Sequence, residues 1–194
     1  MSEKEYLVVG LGNIGPEYAR TRHNIGFMVS DAWAQASNAV FKTCRYGDMA
    51  EIHIKGRIFY LLKPNTYMNL SGNAVRYWVD MLDLAPGHLM VVCDDINLPF
   101  GTVRMRPKGS DGGHNGLGNI EETLGTRDYA RIRIGIGNDF TQGGQIDFVL
   151  GEFGEEQQKE LEAIFEKVSG GIRDWALAGI EKAMTALNTK PQSA

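Results

Sequence analysis

The stretch YLVVGLGNIGPEYARTRHN, residues 6–24, decides how the rest of the chain is interpreted. Its apolar start is typical of a buried strand, and the glycines at positions 10, 12 and 15 then spell the G-x-G-x-x-G pattern of dinucleotide-binding folds. A dinucleotide site would continue directly into a helix and reach an acidic residue about 20 positions further on. Here Pro16 follows the last glycine, and the helical pattern begins only near Asn24. The context therefore favours a sharp turn that brings polar side chains to the end of the strand.

Strand-like and helix-like segments alternate along the chain. Strands are predicted at Glu5–Val9, Ala50–Ile54, Ile58–Leu62, Leu89–Cys93, Thr102–Met105 and Ile132–Ile136. Apolar residues spaced by three and four predict helices over 25–36, 70–82 and 117–124, and a long C-terminal helix or helix pair over 155–187 that Gly170-Gly171 would break. This interleaving predicts an α/β fold: one domain, residues 1–187, with a twisted, mixed, largely parallel sheet flanked by helices and an antiparallel hairpin at Ile54–Ile58. Residues 188–194 are predicted to form a flexible tail.

Composition narrows the class of protein. The 194 residues are 43% hydrophobic and 23% charged, as in an ordinary globular domain. No apolar run approaches the roughly 20 residues that span a bilayer, and the N-terminus lacks the features of a signal peptide, so we expect a cytoplasmic protein with no membrane partner. The net charge of −4 argues against indiscriminate coating of nucleic acid, but basic residues concentrate between Arg104 and Arg133.

Polar side chains follow the strands at the edge where a ligand would bind an open α/β sheet. His23 follows the first strand, and Asp94 follows the buried strand that ends at Cys93. Histidine paired with a carboxylate is a common general base, although His23 could instead pin the helix that follows it. His114, in a glycine-rich loop, either contacts substrate or holds that loop closed. Asp95 is expected to point to the face opposite Asp94, so that only one of the two carboxylates enters the site.

Other kinds of catalytic centre are disfavoured. The chain has no H-E-x-x-H or C-x-x-C metal motif and no G-x-S-x-G nucleophile elbow, and we expect no metal and no cofactor. Ser71 is predicted to accept a hydrogen bond from a free backbone N–H near a helix start. Water is then the expected nucleophile. The asparagines Asn13, Asn69 and Asn115 recur at the same edge, where amides can hold a peptide or an oxyanion without titrating.

Five motifs in order resemble those of the bacterial peptidyl-tRNA hydrolase family. They are GLGNIGPEY with TRHN (residues 10–24), KPNTYMNLSG (63–72), DDINLPFG (94–101), GGHNG (112–116) and RIRIGIG (131–137). The resemblance covers residues 5–153, and the combination is highly specific. It implies a monomeric α/β enzyme that hydrolyses the ester between a peptide and the 3′ ribose of tRNA, so that its partner is peptidyl-tRNA.

The resemblance also implies roles for individual residues. His23 would activate water and Asp94 would orient and polarise it. Substrate-binding positions would be Asn13, Tyr18, Tyr67, Met68, Asn69, His114 and Asn115. The tRNA phosphate would meet Arg106 and Arg133, and such backbone contacts are sensitive to salt.

Four positions depart from the family pattern. Asn97 stands in place of an aspartate, Asn73 and Gly118 stand where many members carry lysine, and Asp111 adds an acid to the glycine loop. The missing lysines would weaken binding of tRNA. Two other classes remain open at this point: a splicing factor of the kind found in plant organelles, which shares this fold and binds a protein partner, and a nicotinamide oxidoreductase.

Overall fold

The computed structural model describes residues 2–188, and most of its elements fall where hydrophobic periodicity places them. The seven strands are β1 (Glu5–Gly10), β2 (Lys42–Cys44), β3 (Gly47–Ile54), β4 (Arg57–Pro64), β5 (Leu89–Asp95), β6 (Val103–Arg106) and β7 (Ala130–Gly135). The helices are α1 (Ile25–Ala36), α2 (Ser71–Met81), α3 (Asn115–Leu124), α4 (Gln145–Val149), α5 (Glu155–Gln158), α6 (Leu161–Ala178) and α7 (Ile180–Leu187). Short 3₁₀ turns at Pro16–Tyr18, Arg22–Asn24 and Met68–Leu70 follow the first and fourth strands.

The strands form one mixed sheet in the order β2-β3-β4-β1-β5-β7-β6. The four central strands, β4, β1, β5 and β7, are parallel, whereas β2, β3 and β6 run antiparallel to their neighbours. The hairpin predicted between the second and third predicted strands is confirmed, and both of its turn residues, Lys55 and Gly56, have positive φ. The fold class predicted from the sequence is therefore confirmed, and the carboxyl ends of four parallel strands meet at one edge.

Helices cover both faces of the sheet. Alternate residues of β1 show the division: Tyr6 and Val8 pack with α1 and α6, whereas Leu7 and Val9 pack on the side of α2 and α3. In this arrangement the central strands are buried on both faces, and for this reason their sequences are nearly continuous apolar runs.

The three glycines of the G-x-G-x-x-G pattern, at positions 10, 12 and 15, have two different functions. Only Gly15 has a positive φ, 114°, and it begins the 3₁₀ turn at Pro16–Tyr18 rather than a helix. Gly10 instead lets α1 approach the strand, because a Cβ atom there would lie 2.3 Å from the backbone oxygen of Gly26. The expectation that all three glycines serve a sharp turn was therefore wrong for Gly10 and for Gly12, whose Cβ would lie 2.7 Å from the ring of Phe27. No helix starts at Gly15, so the pyrophosphate site of a dinucleotide fold is not formed there.

The C-terminal helices differ from the prediction in where they break. Gly170 and Gly171 lie inside α6, and the chain bends at Gly179, which has φ 91° and ψ 161°. Gly171 is needed for packing, since a Cβ atom there would lie 2.9 Å from a methyl carbon of Leu187 in α7.

The predicted tail begins later than expected. Asn188 was assigned to it, yet its side chain accepts a hydrogen bond from the Met105 N–H (2.7 Å) and donates one to the Met105 carbonyl (3.0 Å). These two hydrogen bonds satisfy the backbone N–H and carbonyl of Met105 in β6. The rest of the predicted tail, residues 189–194, lies outside the described residues. Within the described part of the chain, no helix combines the length and apolar character needed to cross a membrane.

Candidate active site

A buried carboxylate at the end of β5 lies at the centre of the site. Asp94 is 2% exposed, and both of its oxygens lie 2.9 Å from Nδ1 of His23. Its Oδ1 atom also lies 2.9 Å from Nε2 of His114. The sequence predicted that His23 and Asp94 meet, and the distance confirms it; the alternative in which His23 only pins its own helix is not what the structure contains. The link to His114 was not predicted.

The hydrogen bonds of His114 define where its proton lies. Its Nδ1 atom accepts from the backbone N–H groups of Gly116 (3.1 Å) and Leu117 (3.4 Å) and so caps the start of α3. Nε2 must then carry the proton and donate it to Asp94. Of the two interpretations left open by the sequence, this geometry favours the one in which His114 holds the glycine-rich loop in place.

The same hydrogen bonds argue against a metal centre. One ligand atom each from His23, Asp94 and His114 lie within 4.8 Å of one another, which is a spacing that a metal ion could use. A metal needs the lone pair of Nε2 of His114, however, and that nitrogen carries the proton as long as Nδ1 caps α3. The donor set therefore fits a hydrogen-bonded chain of three side chains better than a coordination sphere.

Electrostatics stabilise the charged forms of the pair. Burial alone would lower the pKa of His23, but the hydrogen bond and the negative charge of Asp94 outweigh it and raise that pKa. Burial alone would also raise the pKa of Asp94, whereas the two imidazoles together hold it well below its usual range. Asp94 is thus ionised throughout the physiological range. Its hydrogen bond fixes the Nδ1–H tautomer of His23, which leaves Nε2 as the basic nitrogen.

A cleft of about 380 Å³ opens beside these three hydrogen-bonded side chains. Of the predicted site residues, its walls include His23, Asp94, His114, Asn115 and Arg133. Gln145, Ile146 and Val149 of α4 form another wall, which sequence reasoning did not predict. Asp95 also lines the cleft, so the expectation that only one of the neighbouring carboxylates enters the site was wrong, although the two do have different partners.

The remaining predicted substrate residues lie outside the walls of that cleft: Asn13, Tyr18, Tyr67, Met68 and Asn69. Two of them contact each other, since the Oδ1 atom of Asn13 accepts from the Met68 N–H at 3.2 Å. Met68 is buried against the site, because a Cβ atom on Gly116 would lie 2.8 Å from its sulfur and 3.1 Å from the ring of His114.

Asn24 is a functional neighbour that the sequence did not single out. It is 1% exposed, and its amide forms a reciprocal pair with the backbone of Asn13: Oδ1 accepts from the N–H (2.8 Å) and Nδ2 donates to the carbonyl (2.9 Å). Because Asn24 directly follows His23, these bonds fix Asn13 relative to the base. A polar residue at the buried start of an amphipathic helix is the signal that could have identified it.

The other predicted residues are more open. Tyr67 is 72% exposed, and Asn69 and Asn115 are also exposed at the edge of the sheet. Tyr18 is half-buried, and its carbonyl accepts from the hydroxyl of Thr21 at 2.8 Å. Ser71 differs from its predicted role, because its hydroxyl donates to the Met68 carbonyl at 2.7 Å rather than accepting from a free N–H.

Comparison with known proteins agrees with the motifs. The sequence model of the family described as "Peptidyl-tRNA hydrolase" matches residues 7–194. The chain belongs to the peptidyl-tRNA hydrolase family. It is 56% identical over 186 residues to a peptidyl-tRNA hydrolase of Phocaeicola vulgatus, with 96% of this chain and 100% of the relative covered. A peptidyl-tRNA hydrolase of Cytophaga hutchinsonii is 50% identical over 186 residues, covering 96% of this chain and 99% of the relative.

A solved structure gives the same result for the fold. The crystal structure of peptidyl-tRNA hydrolase from Acinetobacter baumannii superimposes with a TM-score of 0.91 at 29% identity, covering 100% of this chain and 99% of the other. The mixed sheet and its flanking helices are therefore those of the family.

Four arginines lie on one face of the sheet beside the cleft. Strand register places Arg104 opposite Arg133 and Arg106 opposite Arg131. Arg106 is exposed, as a phosphate contact requires, whereas the side chain of Arg133 is only 14% exposed and donates to the carbonyls of Ser110 and Asp111. Arg131 is almost completely buried. The predicted tRNA-binding pair thus combines an exposed cation, Arg106, whose NH1 donates to the Met105 carbonyl at 3.0 Å, with one that the glycine-rich loop already holds.

Proposed function

We propose that the protein hydrolyses the ester bond between a peptide and the 3′ ribose of tRNA, and so recycles tRNA from aborted translation. Membership of the peptidyl-tRNA hydrolase family supports the reaction. One observation carries the mechanism: Nδ1 of His23 is bound by both oxygens of buried Asp94 at 2.9 Å. That arrangement leaves Nε2 of His23 as a base, oriented and made more basic by the carboxylate.

In this mechanism water is the nucleophile. Its oxygen bonds to the ester carbonyl carbon while one of its protons passes to Nε2 of His23, which gives a tetrahedral intermediate and an imidazolium next to ionised Asp94. The bond from that carbon to the ribose oxygen then breaks, and His23 returns the proton to the ribose oxygen. The products are a free peptide acid and tRNA with its hydroxyl restored. An activated ester needs neither a covalent intermediate nor a metal for this step.

His114 acts through Asp94 in this proposal. The hydrogen bond from Nε2 of His114 to Oδ1 of Asp94 prevents the carboxylate from rotating away from His23. The hydrogen bonds that Nδ1 of His114 accepts fix its imidazole at the start of α3. His114 is therefore a positioning residue as much as part of the cleft wall.

The amides and apolar side chains bind the substrate. The Met68 N–H fixes the amide of Asn13 so that its Nδ2 donors are available to the substrate carbonyl. Asn69 and Asn115, both exposed at the same edge, bind the peptide backbone, while Tyr18, Tyr67 and Met68 contact its side chains. If the asparagines require a peptide bond beyond the ester, aminoacyl-tRNA with a free amino group is spared.

The tRNA is held by its backbone. Exposed Arg106 binds a phosphate directly, and Arg133 contributes positive charge at the cleft. We further propose that the enzyme acts as a monomer in the cytoplasm, where peptidyl-tRNA is produced.

The test is hydrolysis of N-acetylaminoacyl-tRNA by the wild type and by His23→Ala. The variant should lose activity about 10²–10⁴-fold, the usual contribution of a general base. His114→Asn separates the two functions of that residue, because asparagine caps a helix but is too short to bridge to Asp94. It should fold normally and lose part of kcat. An inactive wild type, or a fully active His23→Ala, contradicts the proposal.

A further inference from the structure

One wall of the cleft is a short and mostly exposed helix. Helix α4 spans five residues, none of which is buried, and Ile146 is 70% exposed. Helices of this length are not stable alone in water. The position of this wall must therefore be set by contacts with the rest of the protein.

Phe148 and Val149 pack partly against the core, and the turn that carries His23 supplies the hydrogen bonds. The backbone N–H of Arg22 donates to the Gly151 carbonyl at 2.9 Å, and NH1 of its guanidinium donates to the Phe148 carbonyl at 3.0 Å. The guanidinium carbon lies 4.2 Å from the centre of the Phe148 ring. Beside it, Thr21 and Glu152 form an isolated antiparallel bridge. The last turn of α4 is thus attached to the residue directly before the base.

The guanidinium is enclosed by this segment. A Cβ atom on Gly151 would lie 2.8 Å from NH1 of Arg22, so the chain passes directly over the cation. The Nε atom of Arg22 is buried and has no hydrogen-bond partner among the described residues. A flat cation stacked on a ring while donating to a helix C-terminus uses properties that lysine does not share.

We propose that Arg22 is a positioning residue that holds the α4 wall of the cleft at a fixed distance from His23, and thereby sets the affinity for substrate. This inference rests on the proposed function, because it assigns the wall formed by Gln145, Ile146 and Val149 to substrate contact. Arg22 does not touch the reacting atoms, so its loss raises KM and leaves proton transfer at His23 intact.

The experiment compares Arg22→Met and Arg22→Lys with Arg20→Met. Arg20 is a matched control, since its side chain is 68% exposed and makes surface contacts, a 3.3 Å hydrogen bond to Gln158 and a 3.7 Å ion pair with Glu152. With N-acetylaminoacyl-tRNA, Arg22→Met should raise KM about tenfold while kcat stays within about threefold, the signature of lost binding that is common to ground and transition state. Arg22→Lys, the milder change, should be intermediate, and the acid limb of the pH profile should not move.

Amide hydrogen exchange supplies a readout that does not depend on activity. Exchange over residues 145–151 should be about tenfold faster in Arg22→Met and unchanged in Arg20→Met. An unchanged exchange rate, or a fall in kcat with KM unaffected, overturns the proposal. If the wild type itself does not cleave the substrate, the proposed function fails, while the exchange experiment still decides whether Arg22 holds the wall.

Discussion

Asp94→Asn tests the catalytic pair with almost no change of shape. In the wild type Oδ1 of Asp94 accepts hydrogen bonds from both imidazoles, whereas Oδ2 lies 2.9 Å from Nδ1 of His23 and makes no hydrogen bond with His114. An asparagine that keeps its oxygen at the shared position must place its NH₂ group where Oδ2 was. That group then faces the Nδ1–H of His23, donor against donor. The conflict is relieved if His23 moves its proton to Nε2, and the nitrogen that should accept the proton of water is then blocked.

The magnitude follows from two effects. A hydrogen bond to a charged group contributes about 1.5–3 kcal/mol, which corresponds to about 10- to 150-fold in rate. The change of tautomer adds to this, and in serine-protease triads the equivalent Asp-to-Asn change lowers kcat about 10⁴-fold. We therefore expect kcat/KM of Asp94→Asn to fall about 10²–10⁴-fold. The protein should remain folded, because the substitution preserves volume at a site that is 2% exposed.

The assay is a pH–rate profile of N-acetylaminoacyl-tRNA hydrolysis. His23 is active when neutral, so activity declines as pH falls below its pKa, which Asp94 raises. Removing the carboxylate lowers that pKa, and the acid limb should move to lower pH while the plateau drops. Asp80→Asn is the control, since Asp80 is exposed and its side chain pairs with Arg76 within its own helix. An acid limb that stays in place, or moves to higher pH, would refute the pairing as the source of basicity.

Three further predictions follow from the same contacts. Asn24→Ala removes both bonds that fix the backbone of Asn13 and should cost about 1–3 kcal/mol in urea unfolding, with a matching fall in kcat. Gly26→Ala places a Cβ 2.5 Å from two backbone atoms and should cost at least about 2 kcal/mol, whereas Gly154→Ala, with open space around it, should cost less than about 1 kcal/mol; equal costs would contradict the packing argument. The depressed pKa of Asp94 contributes stability that is present above its unfolded pKa of about 3.9 and is lost as pH falls through the folded value, so unfolding of Asp94→Asn, followed by circular dichroism, should depend less on pH in acid than that of the wild type.

The sequence predicted the fold where burial leaves a pattern. Six of the seven strands carry apolar runs because they are covered on one or both faces, and each was placed within three residues of its bounds. Strand β2, Lys42–Cys44, was missed because its side chains are mostly exposed and only backbone pairing with β3 defines it. Helix α4 was missed for the same reason, since none of its residues is buried. Short elements with few buried side chains leave no hydrophobic periodicity to detect.

The candidate site divides in a similar way. His23 and Asp94 could be paired in advance because both follow parallel strands, whose ends must share an edge. The second bond of Asp94, to His114, depends on how the glycine-rich loop turns into α3, and local composition does not specify that path. Arg22 could not be assigned, because its partners lie more than a hundred positions away in a segment without a pattern of its own.

The short distance between His23 and Asp94 depends on Gly10 and on Gly26, which allow the start of α1 to contact the sheet. A Cβ atom on Gly26 would lie 2.5 Å from both the Leu11 nitrogen and the Val92 oxygen, so α1 starts in direct contact with the backbones of β1 and β5. His23 precedes that contact by three residues, and Asp94 follows it by two. Any side chain at the crossing would force the helix away from the sheet and separate the base from its carboxylate. In the pattern that resembles a phosphate-binding loop, Gly10 thus serves the packing of α1 on the sheet, and this packing allows the 2.9 Å hydrogen bond between His23 and Asp94.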